Sequence, residues 1–346
     1  MKNKIGILIL LFLILTTVTL FAQTAATVNL IKNETISIEE LNSRVAQYRA
    51  EAAKAGSTAP ITPLEVLDVM INDKLVLQGA SRDGYAVTDT QVEALLKQQK
   101  DYLTQQTGQN ITEAQFELAV KQSYGMSLTE FKKALKESTT VDNYVKATQS
   151  SVLTDLVEPT DAVITEFYRA NRSEFINPEL VRLSHIFMPF TPETKASVKR
   201  EMDTVARFLR YNTYTFEELV PKYSLDADSV VKGGDIGWLA YDDANMKNAL
   251  GAEFFEKVFE LDLGKPSSIL ESKGGFHIVK VTTHTDPKLL SITDKINPDS
   301  TTTVKQYIRQ VLKNQSQQNA YLKAIDTLVS SLRNEGTVNI LYKGEN

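Results

Sequence analysis

The chain has 346 residues, enough for two or three domains, with 42% hydrophobic and 23% charged residues. Its 38 Lys+Arg stand against 43 Asp+Glu, a net charge of −5, which argues against a basic nucleic-acid footprint. There is no cysteine, which excludes disulfides, a thiol nucleophile and a lipid carried on an N-terminal cysteine.

Lys2 and Lys4 precede an uncharged, mostly apolar stretch over 5–21, and then Ala22-Gln23-Thr24-Ala25. A basic start, an apolar run and small residues predict a cleaved signal peptide over 1–22, with an uncleaved anchor as the alternative. Residues 27–160 read as helical. Leu64, Leu67, Met70, Ile71, Val76 and Leu77 lay a wide apolar face along 63–84. Thr88 with Gln91, Thr112 with Gln115, and Ser127 with Glu130 predict three helix starts by capping box. Each opens a polar helix with a thin apolar stripe, carried in the last by Phe131, Leu135 and Val141. Thin stripes predict an extended arrangement with grooves. A further helix covers 161–171, and Asn177-Pro178 breaks the chain.

From 179 the texture changes. LVRLSHIFM at 180–188 alternates and is rich in β formers, so it predicts a strand. Helices follow over 194–211 and 215–223, then the glycine-rich KGGDIGW, a helix over 252–260 and a closing strand FHIVKV at 276–281. The order β-α-α-loop-α-β predicts a compact α+β unit over 180–286. Residues 287–302 are polar and predict a linker. A long helix over 303–334 ends at Gly336, and a short strand over 337–342 has 27–31 as a candidate partner. The chain then reads as α+β: a mostly helical domain over 23–175, completed by 303–346, into which the 180–286 unit is inserted.

The glycines of KGGDIGW lack both phosphate-cradle spacings and lead into no helix, leaving a tight turn or a bulge. There are three histidines, His185, His277 and His284. Neither His185 nor His277 has carboxylates or further histidines at metal-ligand spacing, and the GxSxG elbow of hydrolases is absent. His185 and His277 lie in the first and last strands of one small sheet. Adjacent strands would let their rings face each other; a satisfied core histidine is the alternative for each.

The segments LSHIFM, YSLDADSVVKGGDIGWL and EFFEKVFELDLGKPSSILESKGGFHIVKV, in that order over about 180–286, resemble the parvulin-type peptidyl-prolyl cis-trans isomerases. With its leader, its helical region and its returning C-terminal helix, the chain resembles the exported SurA/PrsA-type chaperone-foldases. The resemblance implies isomerisation of X-Pro bonds with no cofactor and no metal, in the periplasm or another extracytoplasmic space. The implied partners are unfolded or nascent exported polypeptides and their proline-containing segments, with no nucleic acid; a homodimer is conceivable. It implies that His185 and His277 are the family's paired histidines and that Ser272 takes a hydroxyl position. Asp226 or its neighbour Ala227 falls where members place a cysteine or an aspartate. Leu250, Phe254, Phe259 and Phe276 would line the proline pocket. Gly274 stands where some members have a second hydroxyl. No basic cluster precedes the pocket, so selectivity for phosphorylated Ser/Thr-Pro is not implied. The alternative is a non-catalytic periplasmic chaperone that keeps the parvulin fold as a client-binding module.

Overall fold

The computed structural model describes residues 23–344, so the expected signal peptide lies outside the described residues. The chain divides into two compact units, Met1–Val157 with Gln315–Asn346, and Glu158–Asn314.

The first unit opens with an antiparallel hairpin, β1 (Thr24–Asn29) and β2 (Asn33–Ser37). Six helices follow: α1 (Ile38–Lys54), α2 (Pro63–Arg82), α3 (Asp89–Thr107), α4 (Glu113–Tyr124), α5 (Leu128–Thr148) and the single turn α6 (Ser150–Thr154). The capping boxes expected at Thr88, Thr112 and Ser127 are all formed, and Ser37 with Glu40 and Thr62 with Glu65 form two more. In each, the hydroxyl accepts an otherwise unpaired backbone N–H of the first turn, which a helix end must satisfy.

α2 supplies the core of this unit through Val66, Leu67, Ile71, Leu75 and Val76, packed with Tyr144 and Val145 of α5. Leu64, expected on that face, is exposed, because it sits in the first turn. Gln78 is buried, and its Oε1 accepts the N–H groups of Leu30, Ile31 and Lys32, so α2 holds the β1–β2 turn. α3, α4 and the start of α5 share a smaller cluster built from Val92, Leu96, Phe116, Val120 and Phe131. These are the thin stripes seen in the sequence, and they bury a few residues per helix.

The second unit begins with α7 (Asp161–Ala170) and the two-residue β3 (Ile176–Asn177). Its centre is a four-stranded antiparallel sheet in the order β5-β4-β7-β6. Along the chain come β4 (Leu180–Pro189), α8 (Lys195–Arg210), α9 (Phe216–Tyr223), α10 (Ala227–Val230) and β5 (Asp235–Ala240). Then follow α11 (Ala244–Leu250), α12 (Ala252–Phe259), β6 (Leu270–Glu271), β7 (Gly275–Thr285) and β8 (Lys288–Leu289). One sheet face buries Ile186, Met188, Phe276 and Ile278 against α8 and α9. The other buries Val181, Leu183, Val279 and Val281 against Phe254, Phe255 and Val258 of α12.

Residues 287–302, expected as a linker, are packed. Ile176 of β3 pairs with Leu289 of β8, and Leu290 is buried with Ile164, Phe175, Val304 and Ile308. The few apolar residues here lie among polar ones, and two of their partners, Ile164 and Phe175, lie more than a hundred residues earlier, so local polarity hides them. The same cluster draws 158–175 into the second unit. α13 (Val304–Glu335) gives its first turns to this cluster, and its later residues Ala324, Leu328 and Leu332 to the first unit's core. β9 (Thr337–Ile340) then pairs antiparallel with β1, with Val338 opposite Val28. No described helix is long and apolar enough to cross a membrane.

Candidate active site

β4 and β7 run antiparallel in a register that sets Phe187 opposite His277, and Val279 opposite His185. Strand side chains alternate, so His185, Phe187 and His277 share one sheet face and the two histidines are diagonal neighbours. Their rings lie 5.3 Å apart, with Nδ1 to Nδ1 at 3.3 Å. Both are buried, at 7% and 4% exposure.

Two further groups extend this pair into a chain. Ser272 Oγ is 2.8 Å from His277 Nε2, and Asp226 Oδ2 is 2.9 Å from His185 Nε2. A carboxylate only accepts, so His185 Nε2–H donates to Asp226. That leaves His185 Nδ1 as an acceptor for His277 Nδ1–H, and His277 Nε2 as an acceptor for the Ser272 hydroxyl. The chain therefore runs in one direction, Ser272 to His277 to His185 to Asp226, with both imidazoles neutral. Burial favours that state. It pushes His277 down to about 3, aided by the neighbouring His185. Burial also lowers His185, against the raising pull of Asp226. The Ser229 hydroxyl first, and His185 second, hold the Asp226 carboxyl below its usual range.

Local structure explains how each group arrives. The Ser224 hydroxyl accepts the N–H of Phe187 at 3.1 Å, and Leu225 N–H donates to the Phe187 carbonyl at 2.8 Å. The 224–226 segment is thus pinned along β4, which delivers Asp226 to His185; Ala227 instead opens α10. Ser272 sits in the turn between β6 and β7, where its oxygen also accepts Gly274 N–H at 3.1 Å. The Lys273 N–H donates to the carbonyl of Leu250 at 3.0 Å, tying that turn to the end of α11.

The GGDIG turn fixes the other side of His185. His185 N–H donates to the Gly234 carbonyl at 2.9 Å. Gly234 has φ +84, and a Cβ there would meet the His185 carbonyl oxygen at 2.7 Å. Glycine is needed here both for the left-handed backbone and for the close approach. Asp235 pairs with Arg182 at 2.6 Å and accepts Gly237 N–H at 2.8 Å, so it closes the turn and takes no part in the histidine chain.

The aromatic residues divide. Phe254 of α12 lies 4.6 Å from the His277 ring, and Leu250 packs half-buried on the same cluster. Phe259 belongs to that cluster, but its ring partners are Phe255 at 5.3 Å and Tyr241 at 5.1 Å. Phe276, expected on the pocket wall, points to the opposite face and packs 4.7 Å from Phe190, among residues covered by α8. It precedes His277 in a strand, and neighbours in a strand face opposite ways. Phe187 was missed from the sequence, although its place two residues after His185 in an alternating strand puts it on the same face. Its ring lies 4.6 Å from His277 and stacks 5.6 Å from His185 at 15°. His284 stands apart, paired with Glu179 at 2.7 Å. Among the described residues, no three His, Asp or Glu side chains cluster as metal ligands.

Residues 168–285 match the model of the PPIC-type PPIase domain, and residues 3–120 match that of a SurA-like N-terminal domain. A Chaperone SurA from Saccharophagus degradans is 26% identical over 261 residues, covering 73% of this chain and 56% of that protein. A Foldase protein PrsA from Clostridium botulinum is 25% identical over 263 residues, covering 76% of this chain and 69% of that protein. The chain thus spans little more than half the length of the SurA relatives it matches. A solved structure from work on two SurA-like chaperones of Campylobacter jejuni aligns with 92% of this chain and 100% of its own, at 18% identity and a TM-score of 0.33.

Proposed function

We propose, from a chain that joins a SurA-like N-terminal domain to a PPIC-type PPIase domain, that this protein is an exported chaperone-foldase. Its first unit holds unfolded envelope or secreted polypeptides, and its second unit turns their X-Pro bonds. The observation that carries the catalytic half is the one-directional chain Ser272–His277–His185–Asp226, buried through Ser272 and both histidines, beside the aromatic wall of Phe254.

Rotation about an X-Pro bond meets a barrier of about 20 kcal/mol, set by amide resonance. No nucleophile, metal or cofactor is required. A site that holds the proline ring in a dry apolar pocket and favours the twisted, less conjugated amide lowers that barrier. Phe254 and Leu250 supply the wall for the ring. The histidine chain supplies fixed polar groups, which keep their direction and need no reorganisation as the amide twists. Ser272 holds the donor end of the chain, while Asp226 anchors the acceptor end.

The chaperone half draws on apolar side chains left exposed in the first unit, among them Tyr102, Leu118 and Tyr124 at 60%, 54% and 60%. Such residues suit apolar segments of unfolded clients. The basic and apolar leader over 1–22 supports export to the periplasm or a comparable space.

The test is proline-limited refolding of a client, and aggregation of a second client, with the full chain and Phe254→Ala. Faster refolding that Phe254→Ala loses by about tenfold or more, with aggregation still suppressed, is the expected result. Folded protein that suppresses aggregation but gives no acceleration would leave the parvulin unit as a client-binding module and overturn the catalytic half.

A further inference from the structure

His277 has two aromatic neighbours at the same distance, and the proposed reaction uses one of them. Phe254 reaches the imidazole from α12, the helix packed over this sheet face, with ring centres 4.6 Å apart. Phe187 reaches it from within the sheet, as its direct cross-strand partner, also at 4.6 Å. Phe187 is half-buried, whereas Phe254 is buried. Phe187 thus keeps more solvent exposure than Phe254 while touching both histidines.

The turn after Ser272 is built around that ring. A Cβ on Gly275 would meet Phe187 Cε2 at 2.5 Å and the Met188 carbonyl oxygen at 2.4 Å. A Cβ on Gly274 would stand 4.0 Å from Phe187 Cζ. Neither glycine has a positive φ, so the need for glycine at 275 is one of space. The backbone there runs close against β4 and against the edge of the phenyl ring. The Phe187 backbone is fixed as well, by Ser224 and Leu225, the residues that deliver Asp226. A large, rigid ring is thus held beside the histidine chain, and no role in that chain accounts for it.

In an X-Pro peptide, the residue before proline lies across the amide from the pyrrolidine ring. With the ring against Phe254 and the amide over the histidines, residue X falls toward His185 and Phe187. We infer that Phe187 is a specificity-determining residue that receives the side chain preceding proline and favours large apolar or aromatic X. This rests on the proposed X-Pro site. Aromatic pairs add to area burial, which sets the scale of the preference at about five- to tenfold for phenylalanine over alanine.

The test is an NMR titration of the full chain with blocked X-Pro tetrapeptides in which X is Phe, Leu, Ala or Glu, alongside isomerisation rates on the same peptides. The wild type is expected to bind X = Phe about five- to tenfold more tightly than X = Ala. Phe187→Ala should collapse that ratio to about one, and Phe187→Leu should lower it about twofold, which keeps the test open if the alanine variant does not fold. An unchanged ratio in either folded variant, or equal wild-type binding of all four peptides, overturns the inference. Selective binding without isomerisation would sink the catalytic proposal and leave Phe187 its role. Isomerisation with a flat dependence on X would do the reverse, and no binding of any peptide would remove both.

Discussion

In the first unit, Thr88, Thr112 and Ser127 close helix ends at the surface, and ion pairs such as Lys132 with Glu93 at 2.7 Å lie in solvent. In the second, Ser272, His277 and His185 are drawn inside the fold and each is satisfied by the next. A solvated polar group can lose its partner to water at little cost. A buried one cannot, and its loss leaves an unpaired donor or acceptor worth about 1–3 kcal/mol. Apart from its buried Gln78 and Thr140, the first unit should therefore yield gradually to substitution. The second should fail sharply at a few positions, and those are the positions its proposed chemistry uses.

The widest expected gap between the units comes from Gly234→Ala. It places a methyl 2.7 Å from the His185 carbonyl on a backbone at φ +84, and should destabilise the second unit by about 3 kcal/mol or more. Hydrogen exchange of β4 and β7 should accelerate while that of α2 and α5 holds. Fluorescence of Trp238, the chain's one tryptophan and a residue of β5, should report the same loss. Equal loosening of both units would show that they are energetically one.

Acidification should separate them next. All three histidines lie in the second unit. His277 falls from an ordinary 6.5 to about 3, and His185 is lowered too, so the unfolded chain binds protons that the folded unit refuses. Stability is then full above about pH 6.5 and is lost as pH falls through the window down to about 3, by about 1–2 kcal/mol between pH 7 and 5. The first unit holds no histidine, so this loss has no counterpart there. A urea titration followed by hydrogen exchange at pH 7 and pH 5 distinguishes the two. No greater loss in the second unit at pH 5 would mean that its histidines take up protons in the folded state as readily as in the unfolded one.

Smaller effects probe the first unit. Thr112→Ala removes the cap of α4 and should cost about 1 kcal/mol there, with Trp238 unmoved. Lys132→Ala breaks an exposed pair and should change stability, read from denaturant unfolding, by less than about 0.5 kcal/mol. A cost for Lys132→Ala that exceeds the cap's would contradict the view of these pairs as incidental.

What could be read from the sequence divides along the same line. Capping boxes are local signatures, so the helices starting at Asp89, Glu113 and Leu128 were legible residue by residue. The strands carrying His185 and His277 were legible from alternation, and so was the turn between Lys232 and Trp238. One miss was local, and the others needed information that lies far off in the chain. The resemblance puts Phe276 on the pocket wall, although strand parity sends it to the other face. The packed stretch from Leu289 to Ile296 reads as a linker because it is mostly polar and two of its partners, Ile164 and Phe175, come before the sheet. The choice between Asp226 and Ala227 turned on how Ser224 and Leu225 bond to Phe187, which spacing alone does not reveal.

The most direct measurement is exchange NMR of an X-Pro peptide with catalytic amounts of the full chain and of His277→Ala, with Trp238 fluorescence showing that the second unit is folded in both. The account predicts cis-trans exchange well above the uncatalysed rate with the wild type, and at least about tenfold slower with His277→Ala. Exchange at the uncatalysed rate with folded wild type, or undiminished exchange with His277→Ala, would contradict it.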